Sequence, residues 1–168
     1  MNKTEEPLLE DTIRDLPIGI PGKSPGRTIG EGEFAILTSL SWITSESHTN
    51  KEYSKATGAG ERTLAGPIII SLIAGLWVHS KHYEALHETH GIRVIAGLGM
   101  EVKFLAPVLP GDTLWCECEI ESARESKSKP GVGVITFIDR GLNQDGKVVM
   151  EMHRSCLFDN KYKSSIKS

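Results

Sequence analysis

The sequence predicts an α+β fold in which an antiparallel sheet wraps around a central apolar helix. Two observations predict it. The stretch from Pro67 to Val78 is apolar almost all round, interrupted by Ser71, and a helix apolar on every face belongs inside a protein. From Ile92 onward the chain reads as about four long strands joined by hairpin turns. A sheet curled over the helix is the economical way to bury both. The 168 residues suit one domain, on a prior of about 100–200 residues per domain.

Taken in order, residues 1–26 read as an extended N-terminal arm. Pro17, Pro21 and Pro25 recur beside Gly19, Gly22 and Gly26, and no periodic apolar face calls for a helix. The segment Thr28-Ile29-Gly30 suits a short strand or turn. From Glu31 a helical stripe follows on Phe34, Leu37, Leu40 and Ser41, with Glu31 and Glu33 in the first turn, where negative charge suits the helix dipole. The hydroxyl-rich segment from Ser41 to Asn50 breaks that helix. Asn50 is placed to cap a short helix that Gly58 ends.

Pro67 suits the first position of the central helix. Ala74 and Gly75 would admit another backbone closely. The helix turns polar at His79-Ser80-Lys81-His82 and stops near His90-Gly91. The first strand runs within Ile92 to Val108. In Thr113 to Ser122, Leu114, Cys116, Cys118 and Ile120 face one way, and Trp115, Glu117, Glu119 and Glu121 the other. Val132, Val134, Thr136 and Ile138 share a face of the next strand. Asn143 to Gly146 forms a hairpin turn, and Val148 to Phe158 is the last strand. The core domain spans 27–159, and 160–168 is a polar tail expected to fray.

Composition excludes several functions. A net charge of -3 argues against a phosphate-backbone binder and a polybasic membrane surface, so no nucleic acid or membrane partner is expected. No apolar run reaches the roughly 20 residues of a membrane span, and the first residues lack a signal-peptide core. Three cysteines, Cys116, Cys118 and Cys156, suggest reduced thiols and a cytoplasmic location. Cys116 and Cys118 read as small hydrophobes. His79 and His82 have a ligand spacing, but nothing nearby completes a set, so a solvated helix end and no metal are expected. Glu117, Glu119 and Glu121 read as a solvated face. Phosphate-loop, dinucleotide and nucleophile-elbow motifs are absent, and no cofactor is implied.

Four segments, FLAPVLPGDTL (Phe104 to Leu114), RESKSKPGVGVITF (Arg124 to Phe137), NQDGKVVMEM (Asn143 to Met152) and HTNKEYSKATGAGERTLAGP (His48 to Pro67), carry a resemblance. Together, in order, they resemble the MaoC-like dehydratase family. That resemblance implies the hotdog fold, lyase chemistry in fatty acid metabolism, and reversible hydration of a 2-enoyl thioester on coenzyme A or acyl carrier protein. It also implies a homodimer or higher homo-oligomer with the site where two sheets join. The family's imidazole, in a D-x-N-P-x-H loop, falls on His48. Its N–H donor at the head of the central helix falls on Gly66. The substrate contacts implied are Ser45, Ala65 and Ala74. The family's Asp position is Ile43 here, and its Asn and Pro positions are Ser45 and Glu46. Glu46 is the nearest acid to take the missing role. Two alternatives stay open: a hotdog thioesterase using Glu46 with Thr44, Ser45 and Ser47, or a catalytically impaired thioester-binding partner subunit.

Overall fold

A computed structural model describes residues 8–162. Helix α1 (Leu9–Arg14) opens the chain, followed by two short strands, β1 (Gly22–Lys23) and β2 (Arg27–Thr28). Helices α2 (Glu31–Ser41), α3 (Glu46–Thr49) and α4 (Lys51–Ala56) come next. The central helix α5 (Gly66–Trp77) and helix α6 (Lys81–Glu88) precede four long strands, β3 (Arg93–Phe104), β4 (Thr113–Glu125), β5 (Gly133–Leu142) and β6 (Val148–Asp159). The sheet order is β1-β4-β5-β6-β3, every neighbour antiparallel, with β2 also pairing to β4.

Alternation puts Leu114, Cys116, Cys118 and Ile120 of β4 in the core, with Ile135 and Phe137 of β5 and Met152, Cys156 and Phe158 of β6. Helix α5 lies on β4 and β5. Gly141 makes that approach possible: a Cβ there would stand 2.7 Å from Ile73 Cδ1. On β5 the residues Val134, Thr136 and Ile138 share the half-covered face, and the core face opposite includes Asp139. The Asn143–Gly146 turn closes with Gly146 N–H donating to Asn143 O at 3.0 Å. Asn50 caps α4, its Oδ1 accepting from Tyr53 N–H at 3.1 Å.

Four expectations are corrected. Residues 8–26 are not simply an extended arm: Leu9, Thr12 and Leu16 are buried, and packing onto β4 supplies what the local pattern lacks. The first seven residues of that arm lie outside the described ones. The helix expected from Pro67 to His90 is two helices, because Ser80 Oγ accepts from Tyr83 N–H at 3.1 Å and caps a new start. Helix α5 is covered by the sheet and in part by α2 but not all round, with Ser71, Gly75 and the following Val78 exposed; no atom stands within 4 Å of a Cβ at Gly75, so no backbone approaches it. In α2 the buried residues are Phe34 and Thr38, and Leu40 is 75% exposed.

The beginning of the C-terminal tail docks: Tyr162 N–H donates to Gly91 O at 3.0 Å, and its ring lies 4.6 Å from that of His87. The rest of the tail, 163–168, lies outside the described residues.

Candidate functional site

The segment from Trp42 to Pro67 builds the site. Trp42 ends α2 in the left-handed region, φ 61°, which turns the chain towards Ile43. Ile43 is half-buried and packs against the hydrophobic core. The short helix α3 carries His48, whose Nδ1 stands 2.6 Å from the carbonyl oxygen of Thr63. A carbonyl only accepts, so Nδ1 carries the proton and donates it. Neutral His48 therefore presents Nε2 as a free base. Thr63 N–H in turn donates to Ser47 O at 3.2 Å, and Leu64 N–H to Val108 O at 2.8 Å. These bonds tie α3, the loop before α5 and the β3–β4 connection into one unit.

Gly66 is the first residue of α5, with Pro67 behind it. Its N–H has no acceptor among the described residues, as expected for a helix's first turn. The 12-residue helix adds the positive end of its dipole there. Three residues of chain from Thr63 reach at most about 11 Å, which keeps the imidazole and this N–H within one substrate's length. A cleft of about 550 Å³ opens at Gly66, between Thr63, Leu64 and Pro67 on one side and Phe104, Leu105 and Pro107 on the other.

The other candidates fall differently. Glu46 is exposed, and its Oε1 accepts from Asn50 Nδ2 at 3.2 Å, along its own helix rather than to the imidazole. Ser45 stands at the N-cap position of α3 without a capping bond from its side chain, its Oγ lying 3.1 Å from Ser47 Oγ. Ala65 is buried beside Gly66, and its carbonyl accepts from Ile68 and Ile69. Ala74 sits two turns further along α5, and of the six predicted site residues Gly66 alone lines the cleft, while His48, Glu46, Ser45, Ala65 and Ala74 do not. Glu61, close by in sequence, is held down to about 2 by its bond to Lys51 and the Arg62 N–H. It is a carboxylate at neutral pH with its oxygens engaged, so it is no proton donor.

Two residues at this site are not singled out in the sequence. Thr63 contributes a backbone carbonyl, which no side-chain pattern reveals, and Phe104 enters only as the first residue of the FLAPVLPGDTL segment.

Among the described residues no group of three or more His, Cys, Asp or Glu is placed to hold a metal. His79 is exposed at the end of α5, while His82 Nε2 is buried without a partner. Cys116, Cys118 and Cys156 are free and buried, and burial pushes the Cys116 and Cys118 thiols up, away from reactivity. The outer glutamates are paired: Arg140 meets Glu119 and Glu151, each at 3.1 Å, and His153 meets Glu121 at 3.3 Å. No helix among the described residues is long and apolar enough to cross a membrane.

A sheet wrapped on one helix, with an imidazole loop leading into the helix start, defines a hotdog-fold domain of the dehydratase type. Residues 42–152 match the family described as FAS1-like, dehydratase domain region. The chain belongs to this family, within the MaoC-like hotdog proteins. It is 33% identical over 115 residues to Protein MaoC of Klebsiella aerogenes, covering 64% of this chain and 31% of that protein. It is 30% identical over 129 residues to mesaconyl-CoA hydratase of Cereibacter sphaeroides, covering 76% and 35%. The chain thus spans about a third of the length of these relatives. A crystal structure of the MaoC-like dehydratase from Rhodospirillum rubrum has the same fold, with a TM-score of 0.69 at 24% identity over 86% of this chain and 94% of that one.

Proposed function

We propose that this protein adds water reversibly to a 2-enoyl thioester carried on coenzyme A or an acyl carrier protein. The observation that carries this reading is an imidazole tied at Nδ1 to the Thr63 carbonyl, together with the free Gly66 N–H at the head of α5. His48 Nε2 takes a proton from water as the water oxygen bonds to C3 of the enoyl group. The electron pair of the double bond moves through C2 towards the thioester oxygen, where the Gly66 N–H meets the growing charge. The imidazolium then returns its proton to C2. The mesaconyl-CoA hydratase relationship supports this chemistry, and the apolar Ile43 leaves His48 as principal proton carrier. The working unit in this proposal is a homodimer. Three free thiols suit a reducing compartment such as the cytoplasm.

A second reading has its own support. Ile43 is packed into the core edge and Glu46 is turned to Asn50, as in a thioester-binding subunit whose partner holds the acid. One assay separates the readings: the purified chain with a panel of enoyl-CoA substrates, followed by loss of the conjugated thioester absorbance. Hydration by the chain alone supports the enzyme. No turnover until a second hotdog chain is added supports the partner subunit. Release of free thiol identifies a thioesterase.

A further inference from the structure

Gly66 is not a glycine for the sake of its own backbone. Its φ is not in the left-handed region, and a helix's first turn accepts most residues. What excludes a side chain is Phe104. A Cβ on Gly66 would stand 2.5 Å from Phe104 Cζ and 2.7 Å from Cε2. The ring therefore rests on the Gly66 backbone, beside the free N–H. Yet Phe104 is 50% exposed and forms part of the cleft wall. An aromatic held against a glycine on one side and open to a cleft on the other is a wall for something that comes and goes.

The chemistry of the cleft narrows what that is. Thr63 is its one residue with a polar side chain, and no residue lining it is charged. A carboxylate brought there would find no cation in the cleft wall to replace the water it displaces. The conjugated enoyl thioester is flat, and an aromatic face accepts a flat apolar group well.

Resting on the thioester reading above, we propose that Phe104 is a specificity-determining residue. Its ring is the apolar wall along which an uncharged hydrocarbon acyl group lies while the thioester oxygen meets Gly66 N–H. The uncharged cleft around it rejects acyl groups that end in a free carboxylate, so this chain would share the hydration chemistry of mesaconyl-CoA hydratase but not its carboxylated substrate.

The test is calorimetric titration with unreactive analogues: free coenzyme A, pentanoyl-CoA, octanoyl-CoA and glutaryl-CoA. The wild-type chain binds octanoyl-CoA well above free coenzyme A, and glutaryl-CoA at least about tenfold more weakly than pentanoyl-CoA. Phe104→Ala lowers the ratio of octanoyl-CoA to free coenzyme A affinity by roughly tenfold, from lost apolar contact. Phe104→Leu keeps most of that ratio. Each ratio is taken within one variant, so a loss of folded protein cancels and a merely structural role leaves it unmoved. An unchanged ratio in Phe104→Ala, or glutaryl-CoA binding as tightly as pentanoyl-CoA, overturns the inference. Turnover of an enoyl thioester alongside such a result leaves the hydratase reading standing. If no acyl-CoA binds the wild type better than free coenzyme A, and no thioester is turned over, both fall together.

Discussion

The Nδ1–H of His48 is already spent on the Thr63 carbonyl, and that single bond sets what the residue does. It fixes the ring and leaves Nε2 to exchange protons. His48→Ala is expected to lower turnover by roughly 10²–10⁴, the usual worth of a positioned general base, as measured by initial rates on the best enoyl-CoA. Glu46 makes a bond to Asn50 instead, so Glu46→Gln is expected to leave the rate within about threefold. A loss in Glu46→Gln as deep as in His48→Ala would show that Glu46 swings to the water and has taken over the missing acid's role. Ile43→Asp is the complementary change. It restores a carboxylate at the family position and raises the rate. It also places a charge where a half-buried apolar side chain now packs, and some stability is lost with it.

Among the elements, the contact of β5, β6 and α5 holds an ion pair that hydrophobic patterning did not reveal. Asp139 is fully buried and accepts from the Arg154 guanidinium, which lies 4.2 Å from the Trp77 ring and 4.4 Å from that of Phe137. Removing one partner strands the other charge. Asp139→Leu is expected to cost about 3–5 kcal/mol in urea denaturation, and Asp139→Leu with Arg154→Met much less; equal losses in the two variants would sink this account. The first arm strand gives a second prediction. A Cβ on Gly22 would stand 2.5 Å from His82 Cβ, so β1 lies directly on that side chain. Burial, then the nearby His90, hold the His82 imidazole below its ordinary pKa. The unfolded chain takes the proton near pH 6.5 and the folded chain only at lower pH. This contribution to stability is therefore complete above about pH 6.5 and is lost as pH falls through the folded value. The urea midpoint should drop between pH 7.5 and 5.5, and His82→Asn should shrink that drop; an unchanged drop would place the acid sensitivity elsewhere. These elements also show what the sequence could not carry. The Leu114–Ile120 alternation, the Pro67 start and the Asn50 cap are local signals, and they hold. Helix α1 and the inward Asp139 depend on distant partners, which no short window contains, whereas the break at Ser80 is a local cap inside a stretch that reads as one helix. At the site, His48 and Gly66 are singled out by the family resemblance alone, while Thr63 and Phe104 contribute a carbonyl and a packing contact.

At the scale of the whole molecule, the two sides of the sheet are unequal. The free side of β4 is occupied by β1 and β2. At the other side, β3 pairs with β6 alone for its full 12 residues and has no second neighbour among the described strands. Ile95, Leu98 and Met100 on it are all exposed. A long apolar edge with unpaired backbone groups invites another strand, and a second copy of this chain offers the same strand in return. The end of β3 is also the wall of the cleft at Gly66, so whatever pairs with β3 sits beside the site. Sedimentation at micromolar concentration is expected to give a dimer or a larger assembly, and a wild-type monomer would end this account. Replacing both Leu98 and Met100 with Lys puts two charges on the edge, which disfavours strand addition, and should shift the chain to monomer. If the partner completes the cleft, that monomer loses most turnover while keeping a cooperative melt. A monomeric double variant with full activity would mean that one chain's cleft suffices, and that the β3 edge serves assembly without serving chemistry.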